Sequence, residues 1–226
     1  MENNLISYAK EYEDIILYIL LHDIEKGYYI DIGASDPIIN NVTNFFYKRG
    51  WNGVNVEPLT EPFIKLKNQR ERDINLCIGI GEKDGLKSLY QNGEASSFEK
   101  DENLEVCKKK IFTLSEMYRT FCKDFEEIHF CHIDTNGYEA DVLRGVDNWG
   151  IFRPWIYAIK SVVPGTNIPS YSDWEYILMN QGYFLAYAYD SVRYYIAQEH
   201  RVIAYNTSGI NSQIKMSERS YVGEET

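Results

Sequence analysis

Residues 130–145, FCHIDTNGYEADVLRG, read as an apolar strand that stops at Asp134, turns through Asn136 and Gly137, and restarts as a helix on Ala140, Val142 and Leu143. A buried strand feeding a helix is the repeating unit of parallel α/β sheets. Ligands of such sheets bind outside the carboxyl ends of the strands. An acid at position 134 therefore bears on chemistry as well as on fold.

The same pattern recurs on either side. GYYIDIGAS (27–35), GVNVEP (53–58), INLCIGI (74–80), IHFCHID (128–134) and WIYAIKSVV (155–163) are strand-like runs separated by helical patterns, as parallel strands with crossover helices require. TLSE at 113–116 reads as a capping box. WEYILMNQGY (174–183) reads as a helix ending at Gly182, and YFLAYAYD and VRYYIAQ as an antiparallel terminal hairpin. Between Glu82 and Cys107 the chain is weakly patterned, and a short strand LKSLY followed by a loop is expected. At the N-terminus, Ser7 is placed to cap a helix over 7–25 with an apolar stripe of Ile15, Ile16, Ile19 and Leu20. One domain over 1–205 with a polar extension at 206–226 is the expected organisation.

The 226 residues, 44% apolar and 25% charged, suit one globular α/β domain. A net charge of −11 and a single short basic run, Lys108 to Lys110, argue against nucleic acid as a partner. The longest early apolar run, IILYILL, falls far short of the roughly 20 residues that span a bilayer, so no membrane insertion is expected. Four cysteines without C-x-x-C spacing, two of them inside strand-like runs, suit reduced thiols in a cytoplasmic protein.

In YIDIGASDP a strand delivers Asp31 and then Gly33, where the missing side chain lets a ligand approach the backbone. Glu57 closes the next strand, one βαβ unit on, where it can accept both hydroxyls of a ribose. The lone glycine lacks the G-x-G-x-x-G turn that cradles a pyrophosphate. The acidity around it suits a cation, which points to S-adenosyl-L-methionine as cofactor rather than a dinucleotide.

SYAKEYEDIIL, YIDIGASDP, YKRGWNGVNVEP, RDINLCIGIGEKDG, HIDTNGYEADVLRG and RPWIYAIKSVVPGTNIPSYSDWE, in that order over about residues 5–200, resemble the FkbM-type methyltransferase family, some of whose members are associated with bacterial surface-polysaccharide genes. The resemblance implies a class I methyltransferase (Rossmann-like) fold, with a mostly parallel seven-stranded sheet and helices on both faces. It also implies S-adenosylmethionine as donor and usually a hydroxyl oxygen as acceptor. By that match Asp31, Gly33, Glu57, Gly81 and Glu82 line the cofactor site, with Ser7 and Asp14 near its entrance and Asp134 beside it.

The chain also departs from the family pattern. K-I-D-V-E-G becomes HIDTNG, with Asn136 in place of Glu; a strand that often ends in I-E-A ends in Ile159, Lys160 and Ser161; and Gln-Glu-Gly-Glu-Asp becomes KEYED at 10–14. With these acids replaced, no metal is expected. Asp134, His132 and Lys160 are the catalytic candidates: His132 as a base, and Asp134 either orienting it or taking the proton directly. Asn136 and Tyr189 are the candidates for contact with the acceptor, expected to be a sugar or nucleotide-sugar. A nitrogen or carboxylate acceptor, or a silent cofactor-binding partner subunit, are the alternatives. Oligomeric state, a homo-oligomer included, is left open.

Overall fold

Alternation along one strand builds both layers of the molecule. In the computed structural model, which describes residues 5–93, 96–98 and 102–219, strand β1 (Tyr28–Ile32) turns Ile30 and Ile32 to one core and Tyr29 to the other. Strand β4 (Phe130–Ile133) does the same with Cys131 and Ile133 against Phe130. Asp31 and His132 therefore project to the Tyr29–Phe130 face.

Seven strands form the main sheet. Besides β1 and β4 these are β2 (Asn52–Val56), β3 (Ile74–Leu76), β5 (Ile156–Lys160), β6 (Tyr183–Tyr189) and β7 (Val192–Ala197), in the spatial order β6-β7-β5-β4-β1-β2-β3. Strands β3, β2, β1, β4 and β5 run parallel, whereas β7 is antiparallel to both β5 and β6. Strand order reverses between β1 and β4, the switch point at which such sheets open a crevice.

Helices α4 (Leu114–Phe121), α5 (Glu139–Arg144) and α6 (Glu175–Asn180) give Leu114, Met117, Val142, Leu143 and Leu178 to the core on one face. Helices α1 (Glu13–Leu20), α2 (Asn44–Lys48) and α7 (Ile210–Met216) cover the other with Ile15, Ile16, Phe45, Phe46, Ile210 and Ile214. Helix α3 (Thr60–Gln69) links β2 to β3. Among the described residues no helix is long and apolar enough to cross a membrane.

Four local expectations change. The helix expected over 7–25 is confined to α1, because Tyr12 takes a left-handed φ of 61° just before it, and Ser7 lies instead in a short strand, Ile6–Ser7, paired with Glu218–Arg219. The expected run INLCIGI breaks in two, β3 staying in the main sheet while Gly79–Ile80 joins a second, three-stranded sheet. The centre of that sheet is Glu105–Phe112, a strand masked in sequence because Lys109 shares its inner side with Cys107 and Ile111. Its neighbour Gly85–Gln91 contains the expected LKSLY; positions 94, 95 and 99–101 of the expected loop lie outside the described residues. Finally, the start of the expected polar extension buries Ile210 and Ile214, which are four residues apart on one helical face, against α1; residues 220–226 lie outside the description.

Gly33 holds the crevice open at its centre. Its φ is +87°, and a Cβ there would lie 1.9 Å from the carbonyl oxygen of Asp134, where the loop after β4 crosses β1. Gly33→Ala is expected to lower unfolding free energy by roughly 1–3 kcal/mol from overpacking alone, with the left-handed backbone adding to it. A urea midpoint equal to wild type would show that the two loops move apart freely.

Candidate active site

At the carboxyl ends of β1, β2, β4 and β5 lies a cleft of about 620 Å³, within the roughly 300–1,000 Å³ typical of small-molecule sites. Three turns shape its floor. The Gly33 and Ala34 amides donate to Val56 O (2.9 and 3.1 Å), and the Asp134 amide donates to Ile32 O (3.0 Å), which ties the ends of β1, β2 and β4 together. Asn136 (φ 52°) and Gly137 (φ 94°) make the expected turn after β4. Glu139 nests that turn, one carboxylate oxygen accepting from the Thr135 amide (2.9 Å), the Thr135 hydroxyl (3.1 Å) and the Gly137 amide (3.2 Å).

Glu57 follows β2 directly and is 5% exposed. Its Oε2 accepts from the Ser35 amide (2.9 Å) and its Oε1 from the Leu59 amide (2.7 Å), so two backbone donors set the carboxylate's orientation in the cleft wall. Burial raises its pKa above the ordinary carboxyl value against the pull of those amides. Its lining includes apolar Ile78, Ile80, Leu89 and Val162, the aromatic side chains of Phe98 and Tyr138, and polar Asn40, Thr166, Asn167, Asp190 and Ser191.

Charged groups also line the cleft. Asp31 and His132 are register partners on adjacent strands, and His132 Nδ1 lies 2.9 Å from Asp31 Oδ1. The Thr43 hydroxyl donates to Asp31 Oδ2 at 3.0 Å. Burial alone pushes the His132 pKa down, but the hydrogen bond and charge of Asp31, with the charges of Asp134 and Glu13, outweigh it and leave it raised. Lys160 Nζ donates to Glu11 Oε1 (2.8 Å), and Glu11 Oε2 accepts from the Ser191 amide and hydroxyl (3.0 and 2.5 Å). Burial raises the Glu11 carboxyl and lowers the Lys160 ammonium, yet the ion pair reverses both. Burial also raises Glu13, whose Oε2 accepts from the Glu11 amide at 2.7 Å.

Of the residues singled out in the sequence, Asp31, Gly33, Glu57, His132, Asp134, Asn136 and Lys160 line this cleft. Ser7, Asp14, Gly81, Glu82 and Tyr189 do not. The Ser7 hydroxyl donates to Asp14 Oδ1 (2.7 Å), and the Tyr8 amide donates to its Oδ2 (2.6 Å), a buried clasp that anchors α1. Burial lifts that carboxyl to about 7 despite these donors. Gly81 donates its amide to Phe112 O (3.0 Å) in the second sheet, Glu82 is exposed beside it, and Tyr189 packs on the core beneath β6. The ring of His132 is held by Asp31, not by the Asp134 that follows just after β4. Sequence reasoning missed Glu11, Glu13, Thr43 and Ser191. KEYED was the one available signal: its left-handed Tyr12 lets Glu11 and Glu13 both reach the cleft.

The model of the methyltransferase FkbM domain matches residues 31–185, well over half of the chain. The chain belongs to the FkbM methyltransferase family. The matched span runs from Asp31 into β6, the stretch that carries most of the cleft. Among solved structures the FkbM-family chain is similar to the crystal structure of methyltransferase FkbM from Methylobacillus flagellatus KT, at 16% identity and a TM-score of 0.48, over 76% of this chain and 44% of that one. It thus spans less than half of that protein. No curated protein matches it.

Proposed function

We propose that this FkbM-family chain is a methyltransferase that uses S-adenosylmethionine to methylate a hydroxyl of a sugar, carried on a nucleotide or a capsule or surface-glycan precursor, in the cytoplasm. The observation that carries the reading is a carboxylate fixed by two backbone amides in the wall of a cleft that also offers apolar side chains and neutral polar ones. The residues fit the donor. Glu57 keeps lone pairs beyond those given to Ser35 and Leu59 and would accept the two ribose hydroxyls. Ile78, Ile80, Leu89, Phe98 and Tyr138 would take the purine, and Asp31, Asp134 and Glu13 supply negative charge for a cationic donor. When bound, that donor supplies an electrophilic methyl group.

The protein's own task is then alignment and removal of a poorly acidic proton. Asn40, Thr166, Asn167 and Ser191 in the cleft lining offer amides and hydroxyls suited to a polyol. Lys160 is neutralised by Glu11, so it positions the segment around Glu11 and Ser191 rather than presenting a free charge. His132 and Asp134 are the groups at hand to receive the proton. All four thiols are unpaired, in keeping with a reducing compartment.

Titration with S-adenosylmethionine should give saturable binding. A methyl-transfer screen against nucleotide-sugars and glycans, read by mass and NMR, should place the new methyl on oxygen. Chelator-treated enzyme should keep its rate, because the Asn136 amide donates to Ser96 O (3.3 Å) and Lys160 is held by Glu11, neither offering a metal an oxygen of its own charge. Rate lost to chelator and restored by magnesium would overturn that part. Methylation on nitrogen or a carboxylate would overturn the hydroxyl, and binding without turnover against every acceptor would favour a silent partner subunit.

A further inference from the structure

His132 has a hydrogen-bond partner at one ring nitrogen and the cleft at the other. Among the described residues Asp31 is its sole hydrogen-bond partner, through Nδ1, and the ring lines the cleft, so Nε2 is the nitrogen left to a ligand. Asp31 is 1% exposed, and both its oxygens are engaged, Oδ1 by His132 and Oδ2 by Thr43. The Thr43 hydroxyl accepts in turn from Arg70 Nη2 (2.9 Å), a guanidinium itself 1% exposed. Through Oδ1 the carboxylate fixes the imidazole, while its charge still adds to the negative field of the cleft.

We infer that Asp31 is a positioning residue that holds His132 with its proton on Nδ1, so that His132 Nε2 takes the acceptor's hydroxyl proton, with Thr43 and Arg70 fixing Asp31. The assignment rests on the methyltransferase reading above and goes beyond it by naming the base and its support. The acceptor's O–H bond breaks, its proton going to Nε2 and its electron pair staying on oxygen; that pair would form the O–C bond as the donor's S–C bond breaks and leaves its own pair on a neutral thioether sulfur, and the imidazolium is offset by Asp31 until it returns the proton to water. An acid locked on Nδ1 in this way selects the ring tautomer and stabilises its charged form. The other groups around the ring act in the same sense or are already spent. Asp134 follows just after β4 and Glu13 approaches from α1, both favouring the charged ring. The adjacent strand puts neutral Ala158 beside it, and Lys160 two residues on is paired with Glu11. An imidazole is also a stronger base than an ordinary carboxylate by roughly 2–3 pH units, which favours Nε2 over a neighbouring acid as the acceptor of a hydroxyl proton.

The test is nuclear magnetic resonance of the four histidine rings in the full chain, with His132 assigned by its absence in His132→Gln. The expected result is a His132 midpoint above the ordinary value of about 6.5 and, above that midpoint, a neutral ring protonated on Nδ1. In Asp31→Asn the midpoint should fall by roughly 1–3 pH units. With an acceptor from the screen, kcat should rise with pH through the wild-type midpoint, the limb should move down in Asp31→Asn, and kcat there should drop at least about tenfold. A neutral ring protonated on Nε2 in wild type overturns the assignment without any variant, as does an unmoved midpoint in Asp31→Asn or wild-type kcat in His132→Gln. Failure of the wild type to bind S-adenosylmethionine would instead overturn the donor reading, while the ring measurement still decides the Asp31–His132 pair.

Discussion

Arg70→Ala is expected to cost the fold about 3–5 kcal/mol, the usual penalty for stripping one partner from a buried ion pair. The guanidinium donates to Asp73 Oδ2 (3.1 Å), Pro37 O (3.1 Å), Asn41 Oδ1 (3.0 Å), the Tyr29 hydroxyl (2.7 Å) and Thr43 Oγ1 (2.9 Å). Asp73 in turn accepts from the Gly53 amide (2.9 Å), the Asn55 side chain (2.9 Å) and the Tyr29 hydroxyl (2.7 Å). Alanine would leave that carboxylate buried without its counter-charge and four further acceptors short of a donor. Against a total stability of about 5–15 kcal/mol for an ordinary domain, the loss is severe. Arg70→Lys keeps the charge but offers a point donor in place of a planar fork, and should recover only part of it. Urea unfolding followed by circular dichroism measures both. An Arg70→Ala midpoint within the error of wild type would mean that water takes over the network at no cost.

Glu57→Ala should weaken S-adenosylmethionine binding by roughly 1.5–3 kcal/mol for each charge-assisted hydrogen bond lost. That is about 10- to 100-fold per ribose hydroxyl, and about 10²- to 10⁴-fold if both are held. The Ser35 and Leu59 amides fix the carboxylate before any ligand arrives, so the native site has no ordering to do that the variant could evade. The substitution also strips those amides of their acceptor, and an unfolding midpoint measured alongside separates a lost contact from a loosened loop. Because burial raises the Glu57 pKa, wild-type affinity should decline as pH falls through that raised value, since a protonated carboxyl no longer presents two charged acceptors. Calorimetric titration across pH checks both. Equal affinity for wild type and Glu57→Ala would remove Glu57 from the donor site.

Some of this was legible in the chain and some was not, and particular residues show where the line falls. The strand-then-helix runs around Asp31, Glu57 and Asp134 carry their own periodicity, so the α/β pattern and the edge on which the site lies could be read locally. Glu105–Phe112 could not, because an inward lysine breaks the apolar alternation that marks a strand. RERD at 70–73 is four charged residues in succession, yet Arg70 and Asp73 are buried and Arg72 is not. Composition cannot tell these apart. Only the position of β1, β2 and the loop after β1 around Arg70 makes it a core residue.

The sequence by itself determined the succession of elements, the FkbM resemblance, and the placing of acids at strand ends, since each depends on neighbours within one turn or one strand. The tertiary structure decided which of those acids meet. Asp31 and His132 are 101 residues apart and Glu11 and Lys160 are 149 apart, and their pairing follows from strand register and from the way the segment before α1 crosses the sheet. It also placed Ser7 outside the cleft, and Asp14 and Tyr189 as well, although each of the latter two is next in the chain to a residue that lines it. The physical reason is common to all of them: side-chain direction along an element is set locally, whereas burial and pairing are set by whichever distant element packs on that face.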